Sequence, residues 1–408
     1  MSGQRTPPVW LMGLTNLTLG ISGAVSLLVT PQLLSALHVP EPRIAQITGL
    51  ALVPAFASVV VAPILDVRFS RKAYAIAMMI LAGLFNTVAL LSITNLDLLG
   101  WLLFAAMFAT QLAISACGGW LGSLVSRADD ARLAAWFTAA NICGFGLTAI
   151  VGMSLMRGLP PGLGAVVLGA FAAAPVAICL MIPGTPPDGR LARESFGQFS
   201  RDLLALLRRP STLLTMLLFA VPAASFALTN TLGGLGRDYG ASEQFVALAG
   251  GLGVTIAGVI GSLMVPKLIG RVAPVPLYLM IGTGGALFTL SLIVLPHTPA
   301  IFAAAMAGEN IVQAAGFAAG NVIILRAMGK DNPFAATEFA LLTGAVCVPI
   351  SYMQVLDGQA YGGGGLTGAY LTDAGLGLAA CAAMALVFRM TRGLLAPRAD
   401  LSPAPTVP

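Results

Sequence analysis

Charge is what this sequence lacks. Only 9% of its 408 residues are Asp, Glu, Lys or Arg, while 57% are apolar. A soluble domain carries about 25% charged residues. So few charges cannot cover the water-facing surface of a chain this long, and the surface must instead face lipid. Histidine is scarcer still, with only His38 and His297, both in short connections between apolar runs. The five cysteines, Cys117, Cys143, Cys179, Cys347 and Cys381, sit in apolar stretches with no CxxC pair. They read as small buried hydrophobes, with no metal-ligand spacing and no cofactor motif. The only adjacent acids are Asp129 and Asp130, in a short connection. Catalysis has little to work with, so an enzyme is not expected. No basic patch with interleaved aromatics exists, which argues against a nucleic-acid partner.

What is present is a series of apolar runs, each near the 20 residues a spanning helix needs. They cover residues 9–36, 44–65, 73–93, 99–125, 132–156, 162–183, 211–234, 243–269, 274–295, 299–326, 335–357 and 367–390. The expected fold is therefore an all-α membrane protein of twelve transmembrane helices. The first run carries only Arg5 ahead of it and no small-residue cleavage site after it, so it reads as a retained helix. The 47 glycines suit close helix packing in lipid. Pro31, Pro54, Pro175, Pro222 and Pro349 fall inside runs and predict bends.

Basic residues test the segmentation. With a cytoplasmic N-terminus, 18 of the 21 lysines and arginines fall on the cytoplasmic side. Only Arg43, Arg157 and Arg237 fall on the other side. The positive-inside rule predicts this asymmetry, and a missed helix would scramble it. The expectation is a multi-pass inner-membrane protein with both termini cytoplasmic. Most connections are short, but 184–210 is long and falls midway. Phe196, Phe199, Leu203, Leu204 and Leu207 recur there at helical spacing, which predicts an amphipathic surface helix. The organisation is then a six-helix half (1–183), a linker (184–210), a second six-helix half (211–393) and a tail (394–408).

This six-plus-six layout resembles the major facilitator superfamily. The loop DVRFSRK at 66–72 is similar to the acidic-then-basic loop after that family's second helix, without its usual glycine. The resemblance implies a gating role for Asp66, with Arg68, Arg71 and Lys72 beside it; the plainer reading is that the three bases only set topology. Within the superfamily, three segments resemble the peptide–acetyl-coenzyme A transporter group of muropeptide permeases, acetyl-coenzyme A carriers and siderophore permeases. They are APILD (62–66), Thr110–Gln111, and DNPFAATEFALLTG (331–344). Leu112 and Ala116 stand where that group has acids in its fourth helix, which argues against a muropeptide. The stretch NICGFGLTAIVG (141–152) lacks the proline motif of drug–proton antiporters.

Glu309 is the most informative residue. About ten residues into the tenth run, it lies roughly 15 Å deep. An ionisable group there costs several kcal/mol unless paired or hydrated, and such groups commonly carry protons or bind substrate; the plainer reading is a structural acid hydrogen-bonded to a neighbouring helix. Asn310 and Gln313 extend the polar patch. Gln111 and Ser115 form another in the fourth run. The family implies that runs one, four, seven and ten line a central cavity, which would let Gln111 and Glu309 face each other. Asn16 and Asn230 are further cavity candidates, or interhelical hydrogen-bonding groups. Glu338 reads as a structural acid near a helix start. The expected function is secondary transport of a small organic solute. Proton-coupled uptake of a siderophore or muropeptide-like substrate, by a monomer without cofactor, is the leading form. The alternatives are efflux by the same fold, or a non-transporting membrane sensor.

Overall fold

The computed structural model describes residues 7–160, 162–185, 196–224 and 227–395. Arg5, Arg190, Arg193, Arg398 and the tail beyond 395 lie outside them, as do the side chains of Phe196, Phe199 and Asn230. The first six spans are Val9–Ala36, Glu41–Asp66, Arg71–Leu91, Leu96–Leu124, Asp130–Gly158 and Leu163–Met181. The eighth to tenth are Glu243–Ile269, Pro274–Val294 and Pro299–Met328. The seventh is assembled from Pro210–Ala220, a tight turn at Pro222–Ala224 and Ala227–Leu232.

The last apolar helix, Ala335–Thr391, holds two spans. At Gly365 φ is 60° and ψ −151°, a conformation open only to glycine. A Cβ placed on Gly368 would lie 2.4 Å from the carbonyl oxygen of Ala360. Residues eight apart in a straight helix are about 12 Å apart. The chain therefore reverses at Gly365, and the eleventh and twelfth spans form a hairpin. The protein is thus an all-α membrane protein of twelve spans in two six-helix halves.

Four of the five prolines act where the sequence places them, and Pro349 does not. Pro54 separates Glu41–Leu52 from the rest of the second span, and Pro175 separates Leu163–Ala173 from Val176–Met181. Pro222 interrupts the seventh. Ahead of Pro31 the first span widens into a π turn at Val25–Val29, which absorbs the missing amide donor. Pro349 sits within a continuous helix.

The distribution of the core defines the conformational state. One apolar cluster joins both halves at the end carrying most of the basic residues. It includes Leu65, Trp120 and Phe137 from the first half and Phe219, Leu325 and Phe339 from the second. At the opposite end the halves have separate cores. One is built on Val29, Ile47 and Leu103, the other on Leu228, Phe302 and Tyr370. The halves are therefore closed at the basic end and parted at the other.

The linker does form a helix, Phe196–Leu207. Its seated face differs from the expected stripe: Leu206 is buried, with Leu203 beside it, while Leu204 is exposed. Leu206 and Leu203 pack on Val67 and Phe334, one from each half. The helix is turned by this contact with protein, which the apolar periodicity of the linker alone could not reveal.

Candidate functional site

Between the halves lies a cavity of about 780 Å³. Its floor toward the basic end is made by Phe137 and Thr138 of the fifth span, Asn321 of the tenth and Phe339 of the eleventh. Asn321 Nδ2 donates to Thr138 Oγ1 across the halves at 3.2 Å. The Phe137 and Phe339 rings meet edge-on, with centroids 6.5 Å apart. Phe145 and Ile150, farther along the wall, are exposed. The lining contains amides, hydroxyls and aromatic or aliphatic groups, and among the described residues no Asp, Glu, Lys, Arg or His.

Four of the sequence-nominated cavity residues line it: Asn16, Gln111, Asn310 and Gln313. Asn16 Nδ2 donates to the Phe137 carbonyl at 2.9 Å, and its Oδ1 is buried without a donor. Gln313 Nε2 donates to Thr229 Oγ1 at 2.5 Å, and Asn310 Nδ2 to the Met306 carbonyl at 2.8 Å. Ser115 does not line the cavity; its hydroxyl donates back to the Gln111 carbonyl at 2.8 Å. The side chain of Asn230 lies outside the described ones. Glu309 also stands off the lining. It is buried and accepts the Thr289 hydroxyl of the ninth span at 2.6 Å. Gln111 and Glu309 therefore do not face each other. The helical turn that points Asn310 and Gln313 inward carries Glu309 behind them.

The closed end is latched by buried charge. Asp66 ends the second span with its side chain fully buried. It accepts the amides of Ala336 and Thr337 at 3.1 and 2.9 Å and the Thr337 hydroxyl at 2.7 Å. A carboxylate of the first half thus caps the start of a helix in the second, where free amides and the helix dipole favour negative charge. Arg71 Nε donates to Asp66 at 2.6 Å, and its guanidinium reaches across to the Asn332 and Pro333 carbonyls at 3.0 and 2.8 Å. A second contact joins the same loop to the fifth span. Lys330 Nζ bonds Asp130 at 2.5 Å and the Gly122 carbonyl at 2.8 Å.

Glu338 holds this loop from behind, accepting from Thr212 Oγ1 at 2.9 Å and Asn332 Nδ2 at 2.6 Å. Beside the latch, a Cβ on Gly119 would lie 2.6 Å from the Ala336 amide, so the fourth and eleventh spans touch at backbone distance.

Two of the four proposed gating residues do not cross. Arg68 has φ 70° and lies over the Phe69 ring at 5.5 Å. Lys72 donates to the Ile182 carbonyl at 2.6 Å and sits over Trp120, within its own half.

The Major Facilitator Superfamily model matches residues 11–350. The chain belongs to the major facilitator superfamily. Solved structures of the same fold cover most of this facilitator. FucP, a superfamily transporter in the outward conformation, aligns with TM-score 0.69 at 17% identity, over 92% of this chain and 97% of its own. The human organic anion transporter MFSD10 aligns with TM-score 0.70 at 14% identity, over 92% and 98%. A bacterial homologue of the iron transporter ferroportin, outward-facing with soaked iron, aligns with TM-score 0.62 at 16% identity, over 93% and 98%. No curated protein sequence matches. The facilitator is a secondary transporter of the membrane and not an enzyme. At these identities the neighbours establish the fold and leave the cargo open.

Sequence reading missed several residues that the facilitator fold brings to its cavity and latch. Gln32, Asn141, Asn321, Thr343 and Cys347 line the cavity. Each is a polar residue or a cysteine within an apolar run, and the helical face on which it stands was the available signal. Lys330 was read only as a topology charge and Asp130 only as one of two adjacent acids; their pairing joins residues 200 apart in sequence.

Proposed function

We propose that this facilitator moves a small, electrically neutral solute across the inner membrane by alternating access, with proton-coupled uptake as its direction. The observation that carries the substrate class is the uncharged lining of the cavity. In a low-dielectric site a charged solute needs an opposite charge or loses several kcal/mol of hydration. The amides and hydroxyls suit hydroxyl and carbonyl groups, and Phe137, Phe145 and Phe339 suit an apolar face. Of the substrates that the family resemblance implies, a compact neutral siderophore matches this chemistry. A muropeptide brings several carboxylates and would find no cation there.

The basic end is taken as cytoplasmic, which puts both termini inside. The described conformation then faces outward. Solute enters from outside, the outer ends close, and the Asp66 and Lys330 latches release at the inner end. Glu309 takes up the coupling proton; its position behind Asn310 and Gln313 lets protonation act on the cavity through the tenth span. The cavity is complete within one chain, so the working unit is a monomer.

The test is uptake into proteoliposomes under an imposed pH gradient, offering neutral siderophores and a muropeptide in parallel. Glu309→Gln should abolish gradient-driven accumulation while leaving counterflow exchange. Unchanged accumulation would remove Glu309 from coupling. Preferred uptake of the muropeptide would overturn the neutral-solute reading.

A further inference from the structure

The hairpin of the eleventh and twelfth spans brings two acids together away from the cavity. Asp357 precedes Gly365 by eight residues and Asp373 follows it by eight. The reversal at Gly365 sets them opposite each other, about 12 Å below the turn. Asp357 is 2% exposed, and among the described residues neither of its carboxylate oxygens has a hydrogen-bond donor. Across the hairpin it faces the Asp373 carboxyl. Two carboxylates offer each other only acceptors. A buried carboxylate left without a donor is costly, and two ionised ones in contact repel strongly at low dielectric. One proton held between them removes both penalties, as in paired-acid sites.

We infer that Asp357 and Asp373 form a proton-binding site of their own, a carboxyl–carboxylate pair that shares one proton, outside the substrate cavity. A metal cation is the other occupant such acids could take. Among the described residues, however, no group of three or more His, Cys, Asp or Glu is arranged to hold a metal ion.

The pair lies within a wider set of titratable groups. Glu309 of the tenth span is within electrostatic range of Asp373. Tyr370, one turn before Asp373, shares a 2.7 Å hydroxyl contact with Tyr239. The Tyr239 ring meets His297 at 5.1 Å. Nearer the outer surface, Tyr361 donates to Asp238 at 2.8 Å, and Asp238 is exposed. These groups step inward from solvent at the end opposite the basic one. The pair therefore deepens the coupling reading by adding a site through which protons reach the bundle before Glu309, though its existence does not depend on Glu309 being the coupling acid.

Infrared spectroscopy of the purified protein tests it. Wild type should show a protonated-carboxyl stretch that shifts in D2O. One component of that band should vanish in Asp357→Asn and equally in Asp373→Asn, because the new amide donates to the remaining carboxylate and lets it ionise. The component should persist in Glu309→Gln, which separates this site from the coupling reading. Absence of the band in wild type overturns the proposal without any variant. Persistence of every component in either Asn variant overturns it as well. If one Asn variant does not fold, the other carries the same expectation.

Discussion

Asp66 and Thr337 stand 271 residues apart in sequence, yet the carboxylate accepts both the amide and the hydroxyl of the threonine. One side chain of the first half therefore closes the helix start of the second. Hydrogen bonds to a charged group contribute about 1.5–3 kcal/mol each. Asp66→Asn removes the charge while keeping the shape. The closed-inside state should lose population, because a change of about 1.4 kcal/mol shifts a two-state ratio tenfold. Cys347, which lines the cavity, reports this without an added label. Its alkylation by an impermeant reagent applied from outside, read by mass spectrometry, should slow several-fold in the variant. Thr337→Val keeps the amide contact and should have a smaller effect.

Lys330→Met should be more damaging than its double variant with Asp130→Asn. Asp130 has a fully buried side chain and one oxygen already without a donor. Removing the lysine strands that charge, at a cost of about 3–5 kcal/mol. Neutralising both partners removes the stranded charge. Thermal unfolding in detergent should rank wild type and the double variant above Lys330→Met.

Gly119→Val acts on the same end without touching a charge. Its Cβ would meet the Ala336 backbone, which cannot give way as a side chain could. Access to Cys347 from outside should fall, as in Asp66→Asn. Unaltered access would mean that the close approach of the two spans does not help hold the closed end.

Within the cavity, Gln111→Leu should weaken solute binding by roughly 1 kcal/mol, close to fivefold, through loss of a hydrogen-bonding group. Ser115→Ala should leave binding unchanged, since its hydroxyl is bonded to the Gln111 carbonyl and stands off the lining. Concentration dependence of uptake separates the two: the first variant raises KM and the second does not.

Apolar run length and the sidedness of the basic residues made the twelve spans legible in sequence, and the prolines marked the breaks in the second, sixth and seventh. The reversal at Gly365 was visible only as a gap between two runs, because a glycine-rich turn and a continuous helix share the same hydropathy. Site reading divided along helical faces. Asn310 and Gln313 reach the cavity while Glu309 does not, a distinction of direction around the helix that depth cannot resolve. Asp66 stood out through its motif, but its partners at Ala336 and Thr337 are non-local and became apparent only with the packing of the halves. Asp357 and Asp373 lay within or at the ends of apolar runs and were significant only as a pair.

The central claim is that the two ends of this molecule open in alternation and that the Asp66 latch sets the balance. Pulsed electron–electron distance measurements between spin labels, one pair across the outer ends of the halves and one across the basic ends, test it in a single experiment. Wild type should show a long outer and a short inner distance. Asp66→Asn should add a population with a shorter outer and a longer inner distance, the two changing together. Distances that stay fixed, or an inner end that opens with no closing of the outer end, would contradict the account.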